Sequence, residues 1–386
     1  MQTAETAVNS NKALSAAIIL LVVAGTLWLI MPVYIGAAAE SLQLDESQLG
    51  ALGFADFAGM AMASILALLW IRRIDWRYAA AAGLSVMLCG NLLSIFIDDF
   101  RALLTLRFVT DLGAGSVASV GLAALADSEK SDRNFGLAIA AQTLLGSLGL
   151  FGLPYLISIW GLDTVFVLLA VMAIMVLPMV KWLPRFGKPG DTRVSGKRGV
   201  LLFPMMGLVA MTLFFANVGA VWTYIERMGA HADLSATYIG KTLALANAIA
   251  LFGALAAVWL GDRFGHFRPL LTVVLFQLLA LALLNIEINA ISYFVSLCIY
   301  AIFWNFAIPY QMTVTAQSDP TGRLIVLATA FHGAGAAVGP GLVALFISPG
   351  SFIAVYAVAA ACSLLCFTLF LPLLKFSGSL ASPVHE

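Results

Sequence analysis

Displaced by 190 residues, the sequence overlays on itself: Arg133 falls on Arg323, Arg73 on Arg263, Ser128 on Ser318, Gly50 on Gly240, Gly149 on Gly339, and Tyr34-Ile35 on Tyr224-Ile225. Ala and Leu coincide by chance in a chain that is 62% hydrophobic, so the weight rests on the polar, aromatic and glycine positions that punctuate the apolar runs. Those runs are long enough to cross a bilayer in both copies. A period of roughly 20 to 50 residues would indicate a solenoid, whereas a half-chain period in apolar sequence indicates two equivalent membrane-embedded halves.

A water-soluble chain covers its surface with charge. Here only 10% of residues are charged and the mean hydropathy is +0.99, which places the chain in the bilayer. The formal charge of zero and a pI of about 6.9 argue against a nucleic-acid partner, which would need a basic face. Cys89, Cys298, Cys362 and Cys366 all fall within apolar runs, where neither zinc spacing nor a disulfide framework is expected. No metal or cofactor site is expected. The polar segment before Lys12 leads into an apolar stretch reaching about Ala39, too long for the core of a signal peptide despite the cleavage-like Ala37-Ala38-Ala39.

A helix needs about 20 apolar residues to cross the hydrocarbon core, and twelve runs meet that length, near 13–36, 48–71, 78–97, 102–126, 137–158, 163–183, 200–225, 236–260, 268–288, 291–315, 324–347 and 352–375. With the first terminus inside, Arg72, Arg73, Arg77, Lys130, Arg133, Arg263, Arg268 and Arg323 share the cytoplasmic side with the Lys/Arg-rich segment from Arg185 to Arg198. Arg101 and Arg227 alone lie opposite. This asymmetry obeys the positive-inside rule and puts both termini in the cytoplasm. The two copies present basic turns on the same side, so each crosses an even number of times. The expected organisation is an all-α integral membrane protein with a six-helix bundle over 1–183, a cytoplasmic linker over 184–199 rich in Gly, Pro and basic residues, and a second six-helix bundle over 200–386.

The turn Gly261-Asp262-Arg263-Phe264-Gly265-His266-Phe267-Arg268 resembles the cytoplasmic loop signature of the major facilitator superfamily, Gly-x-Leu-Ala-Asp-Arg-x-Gly-Arg-Arg. The resemblance implies that Asp262, Arg263 and Gly265 belong to a conformational latch between two rocking halves. The equivalent turn, Arg72-Arg73-Ile74-Asp75-Trp76-Arg77, departs from the signature: Arg72 stands where the repeat has Asp262, and Asp75 where it has Gly265. A first-half latch would therefore require Asp75 to take over in a rebuilt turn. In span four, Arg107-Phe-Val-Thr-Asp111-Leu-Gly113-Ala-Gly115 resembles the family's pattern of an Arg followed by glycines, with Asp111 in a place where glycine is usual.

A buried Arg in hydrocarbon costs at least a few kcal/mol and needs a partner or a cavity. Asp111, at i+4, shares a helical face with Arg107. Asp56 in span two lies at about 12 Å from its outer helix end against about 8 Å for Arg107, so the two acids and the Arg are expected to meet in the outer half of the first bundle. They form either a structural salt bridge or a proton and substrate site. Gln142 and His332 occupy equivalent positions on spans five and eleven and are expected at a shared cavity. Trp28, Tyr34, Asn217, Trp222, Tyr224, Trp304, Asn305, Tyr310 and Gln311 add polar and aromatic groups on spans one, seven and ten, near Pro32 and Pro309, which are expected to interrupt those helices. Glu226 sits near the outer boundary, where it is expected either to pair with Arg227 or Lys241 as an external gate or to bind substrate or a proton in transport. Trp160 and Trp182 read as interface anchors. Gly335, Gly339 and Pro340 allow close packing and a kink in span eleven, with Gly146, Gly149, Gly152 and Pro154 as their first-half equivalents.

The family resemblance implies two six-helix bundles about a cavity that opens alternately to each side. The expected activity is secondary transport of a small organic molecule, coupled to protons, by a monomer in a bacterial inner membrane. The alternative is a multidrug or metabolite exporter working as a proton antiporter; span five lacks the Gly-Pro-Gly-Gly signature of drug/proton antiporters, which weighs against export of drugs. A membrane sensor or multispan enzyme is more remote, because the four histidines are scattered and form no catalytic cluster.

Overall fold

A computed structural model of the chain describes residues 8–97, 99–187, 202–319 and 327–381. Most of the expected linker, together with Arg323, lies outside the described residues. Twelve long helices follow one another: α1 (Asn11–Leu42), α2 (Glu46–Trp70), α3 (Trp76–Ser94), α4 (Phe100–Ala126), α5 (Ser131–Trp160), α6 (Asp163–Val176, extended by a 3₁₀ turn over Leu177–Trp182), α7 (Leu202–His231), α8 (Ala236–Leu260), α9 (Phe267–Ile286), α10 (Ala290–Gln317), α11 (Ala328–Phe346) and α12 (Ile353–Ala381). Eleven are long and apolar enough to span a membrane. The exception is α3, diluted by Arg77, Gly83, Ser85, Asn91 and Ser94; its 19 residues still reach about 28 Å at 1.5 Å per residue.

The repeat is visible in the helix starts. Helices α2 and α8 begin at Glu46 and Ala236, α4 and α10 at Phe100 and Ala290, and α6 and α12 at Asp163 and Ile353, each pair 190 residues apart. The N-terminal caps recur as well. Asp45 and Ser235 cap α2 and α8, each accepting a bond from the backbone three residues on, while Asp99 and Asn289 do the same for α4 and α10. Such caps satisfy amides that helix geometry leaves without partners, a need most acute where a helix emerges from lipid.

The chain divides into two compact units, Met1–Thr192 and Arg193–Glu386. In the first, glycines set the packing of α4. A side chain on Gly59 of α2 would strike the Phe108 carbonyl and one on Gly115 the Met60 carbonyl, while a methyl group on Gly83 of α3 or Gly113 of α4 would come within 2.8 and 2.7 Å of the other's carbonyl oxygen. In the second, Gly335 and Gly339 of α11 press on the Thr212 and Ala216 carbonyls of α7, so that stripe does bring two backbones together. Its first-half equivalent does not: Gly149 meets only side chains, those of Ile30 and Leu153, and Gly152 faces open space. The expected symmetry of the glycine stripes therefore fails.

A second departure concerns the prolines. Helices α1 and α10 run unbroken through Pro32 and Pro309 rather than being interrupted there. Only one backbone bond is lost at each, and surrounding helices restrain the chain. Large apolar side chains remain exposed on α5 (Leu144, Leu148, Phe151, Tyr155) and α8 (Phe252, Leu255, Val258, Trp259), faces suited to hydrocarbon rather than water.

Candidate functional site

Within the first unit, α2, α3 and α4 converge on Arg107, whose side chain is 1% exposed. Its Nε donates to Asp56 Oδ1 at 2.9 Å, one terminal nitrogen to Asn91 Oδ1 at 2.9 Å, and the other to Asp111 Oδ2 at 2.8 Å. Asn91 is held in turn by its own donation to the Met87 carbonyl at 2.7 Å. The guanidinium lies 5.5 Å from the Phe166 ring centre and 5.9 Å from that of Tyr34, so aromatic groups cover what the acids leave open. The Tyr34 hydroxyl is adjacent to Asp56, yet neither it nor Asp56 Oδ2 completes a hydrogen bond among the described residues.

The anticipated meeting of Asp56, Arg107 and Asp111 is thus present, and it has a further member, Asn91, that sequence reasoning missed. A polar side chain midway along the third run was its signal. Two carboxylates contact one guanidinium, so the fully ionised cluster carries one uncompensated negative charge in a water-poor interior. Such an arrangement is costly unless a proton or counter-charge balances it.

The second unit carries a neutral network instead. Tyr300 donates to Asn217 Oδ1 at 2.7 Å, Asn217 donates to Gln277 Oε1 at 2.9 Å, and Ser363 donates to the same oxygen at 3.2 Å. All lie inside the unit. Gln311 is buried beside Cys366, with its amide 3.9 Å from the sulfur. Of this group only Asn217 and Gln311 stood out in sequence; Gln277, Tyr300 and Ser363 did not, because isolated polar residues on apolar helices carry no periodic signal.

Gln142 and His332 approach equivalent positions in the two units by different contacts. Gln142 lies over Gly25 and donates to the Leu21 carbonyl at 3.1 Å. His332 stacks on Phe215, which is the 190-residue equivalent of Gly25, at 4.1 Å and 16°. Trp28 packs on Phe57 at 4.8 Å, Trp222 on Trp304 at 6.0 Å, and Tyr34 on Phe166 at 6.1 Å. Tyr224 is fully buried. Asn305 donates to the Ala301 carbonyl of its own helix at 3.4 Å, while Tyr310 reaches out to the Gly261 carbonyl at 3.1 Å. Glu226 lies 3.9 Å from its neighbour Arg227, and Lys241 is exposed.

The basic turns differ from expectation. Arg72 makes a two-pronged ion pair with Asp127 at the end of α4, at 2.5 and 3.0 Å, and Gly187 lies against that pair. Asp75 caps α3 by accepting from the Arg77 amide at 2.9 Å, with Arg185 at 3.9 Å. Arg73 is exposed. In the second half, Asp262 is 85% exposed and lies 3.4 Å from His266 within its own turn. Arg263 stacks on Trp259 at 5.3 Å, and Gly261 and Gly265 adopt the positive φ values of 50° and 62° that make the turn. Among the described residues, the ion pair linking a basic turn to a neighbouring helix end is therefore found in the first half, on a residue that breaks the signature.

Eleven apolar membrane-length helices, a buried charged cluster inside one six-helix unit and a duplicated architecture define a multi-pass integral membrane transporter. The chain belongs to the Major Facilitator Superfamily, whose profile matches residues 16–324. Its fold is similar to that of the nucleoside transporter NupG, with a TM-score of 0.72 at 12% identity over 95% of this chain and 100% of that one. It is also similar to a bacterial homolog of the human lysosomal transporter Spinster in an inward-facing, occupied conformation, with a TM-score of 0.67 at 14% identity over 95% of each chain. Among curated protein sequences none matches.

Proposed function

We propose that this transporter moves a small organic molecule by alternating access and couples that movement to protons through Asp56, Arg107 and Asp111. The observation that carries the reading is the stoichiometry of the buried cluster: one guanidinium within 2.9 Å of two carboxylates. Protonation of one acid removes the excess charge and releases one arm of Arg107, so loading a proton changes which helices are tied together. Arg107 already has three side-chain acceptors and two ring neighbours, which favours a role in regulating the acids over direct capture of an anionic substrate. Within each unit an aromatic pair, Trp28–Phe57 in the first and Trp222–Trp304 in the second, is the candidate for substrate contact. We place the protein in a bacterial inner membrane as a monomer, with both termini and the basic turns in the cytoplasm.

The test is transport in proteoliposomes. Asp111→Asn removes the group that titrates without changing its shape; it abolishes accumulation driven by a pH gradient while leaving substrate exchange at equilibrium intact. Accumulation unchanged in this variant would eliminate proton coupling through Asp111.

A further inference from the structure

The mutual approach of Gly83 and Gly113 draws α3 and α4 together, and the small residues beside that contact, Ala79, Ala82 and Ser116, leave a groove of about 530 Å³ on the face of the first unit. Its lining is nearly all apolar and includes Val86 and Val109. From Tyr78 to Val86 it extends along α3 for about 12 Å at 1.5 Å per residue. That is close to one leaflet of a hydrocarbon core about 30 Å thick. The groove begins at the basic end of the unit, where Trp70, Ile74 and Tyr78 form its mouth. Tyr78 is 75% exposed. Arg73, one residue from Ile74, is exposed and forms no ion pair among the described residues.

We propose that this groove holds one acyl chain of an anionic glycerophospholipid from the leaflet on the basic side, with the phosphate held by Arg73 and the Tyr78 hydroxyl. Three features select that occupant. The groove has the length and apolarity of a half-bilayer chain rather than of a compact substrate. Its mouth is lined by Trp and Tyr, side chains suited to headgroup depth. The uncommitted cation at the rim supplies the attraction that an anionic headgroup meets and a neutral one does not. Bound there, the lipid would brace α3 against α4 below Asn91 and Arg107, so its occupancy would bear on the rigidity of the charged cluster.

The experiment uses the full-length protein in phosphatidylcholine nanodiscs containing phosphatidylglycerol with a diazirine in its acyl chain, with photolabelled positions mapped by mass spectrometry. Label should concentrate on 79–86 and 109–116. Ala82→Phe, which fills the groove from an exposed position, should lower that labelling by at least about fivefold, and Ser116→Leu should do so from the facing helix. Arg73→Gln should cut the preference for phosphatidylglycerol over an equally labelled phosphatidylcholine by about fivefold, the equivalent of ~1 kcal/mol for one basic side chain at an anionic surface. Label spread evenly over the exposed faces of α5 and α8, or groove labelling untouched by both filling variants, overturns the site. Equal labelling by the two lipids in the wild-type protein overturns the anionic headgroup.

Discussion

Asp56 and Arg107, 51 residues apart in sequence, meet at 2.9 Å inside the first six-helix unit, each with a side chain only 1% exposed. The contact ties α2 to α4. With Asn91 it also ties in α3, so a single guanidinium joins three helices whose apolar surfaces give little directional preference within lipid. Packing alone sets how close these helices come. The charged cluster sets their register, and any change in its protonation acts on all three at once.

Removing the cation should therefore be more damaging than removing the whole cluster. Arg107→Leu leaves Asp56 and Asp111 buried beside one another with no counter-charge, and we expect a loss of about 3–5 kcal/mol. The triple variant Asp56→Asn, Arg107→Leu, Asp111→Asn should recover most of it. Thermal unfolding in detergent measures both; equal stability for the single and triple variants would show that charge balance is not what holds this site.

Much of this was legible beforehand, for physical reasons. Span positions follow from the length of the apolar runs, and the duplication from the polar, aromatic and glycine residues that coincide at a displacement of 190. Arg107 and Asp111 share a helical face by spacing alone, and depth along the span brings Asp56 to them. The partners of isolated polar groups were not legible. Asn91, Asp127 and Gln277 are selected by the rotation of one helix against another, which a single sequence does not encode in any local pattern. The glycine stripes illustrate the same limit: Gly149 and Gly339 are equivalent in sequence, yet only Gly339 meets a backbone.

Gly152 and Gly339, at non-equivalent places in the two stripes, should respond in opposite ways to one methyl group. Gly152→Ala adds a Cβ to open space and removes a flexible residue from a helix, so it should be neutral or stabilising by up to about 1 kcal/mol. Gly339→Ala drives the same group into the Ala216 carbonyl and should cost about 1–3 kcal/mol while slowing transport, since α7 and α11 must separate to accommodate it. Melting curves of the two variants, run together, decide the matter; matched behaviour would refute the asymmetry.

The Arg72–Asp127 pair joins the α2–α3 turn to the end of α4, with Arg72 40% exposed and Asp127 largely buried. Because the Arg is partly solvated, its contribution to stability should be modest, about 1 kcal/mol. Its larger effect is expected on rate. Asp127→Asn should change the turnover of transport severalfold with little change in substrate affinity, and the exchanged pair Arg72→Asp with Asp127→Arg should restore much of the lost rate. A charge exchange that performs no better than the single variant argues against a latch at this turn.

The neutral network of the second unit offers a cleaner measure of buried hydrogen bonding. Tyr300 donates to Asn217 Oδ1 at 2.7 Å, and Tyr300→Phe deletes only that donor while preserving the ring. The acceptor it leaves is enclosed, and no water in the hydrocarbon region replaces the lost partner, so the variant should lose about 1–3 kcal/mol. Asn217→Leu in the same background removes the stranded acceptor but also the donor to Gln277 Oε1, which keeps Ser363 as its remaining partner. The double variant should therefore be no less stable than Tyr300→Phe alone. Additive losses, with the double variant lower by the full cost of each single change, would mean that Tyr300 and Asn217 stabilise the unit independently rather than as one bonded chain.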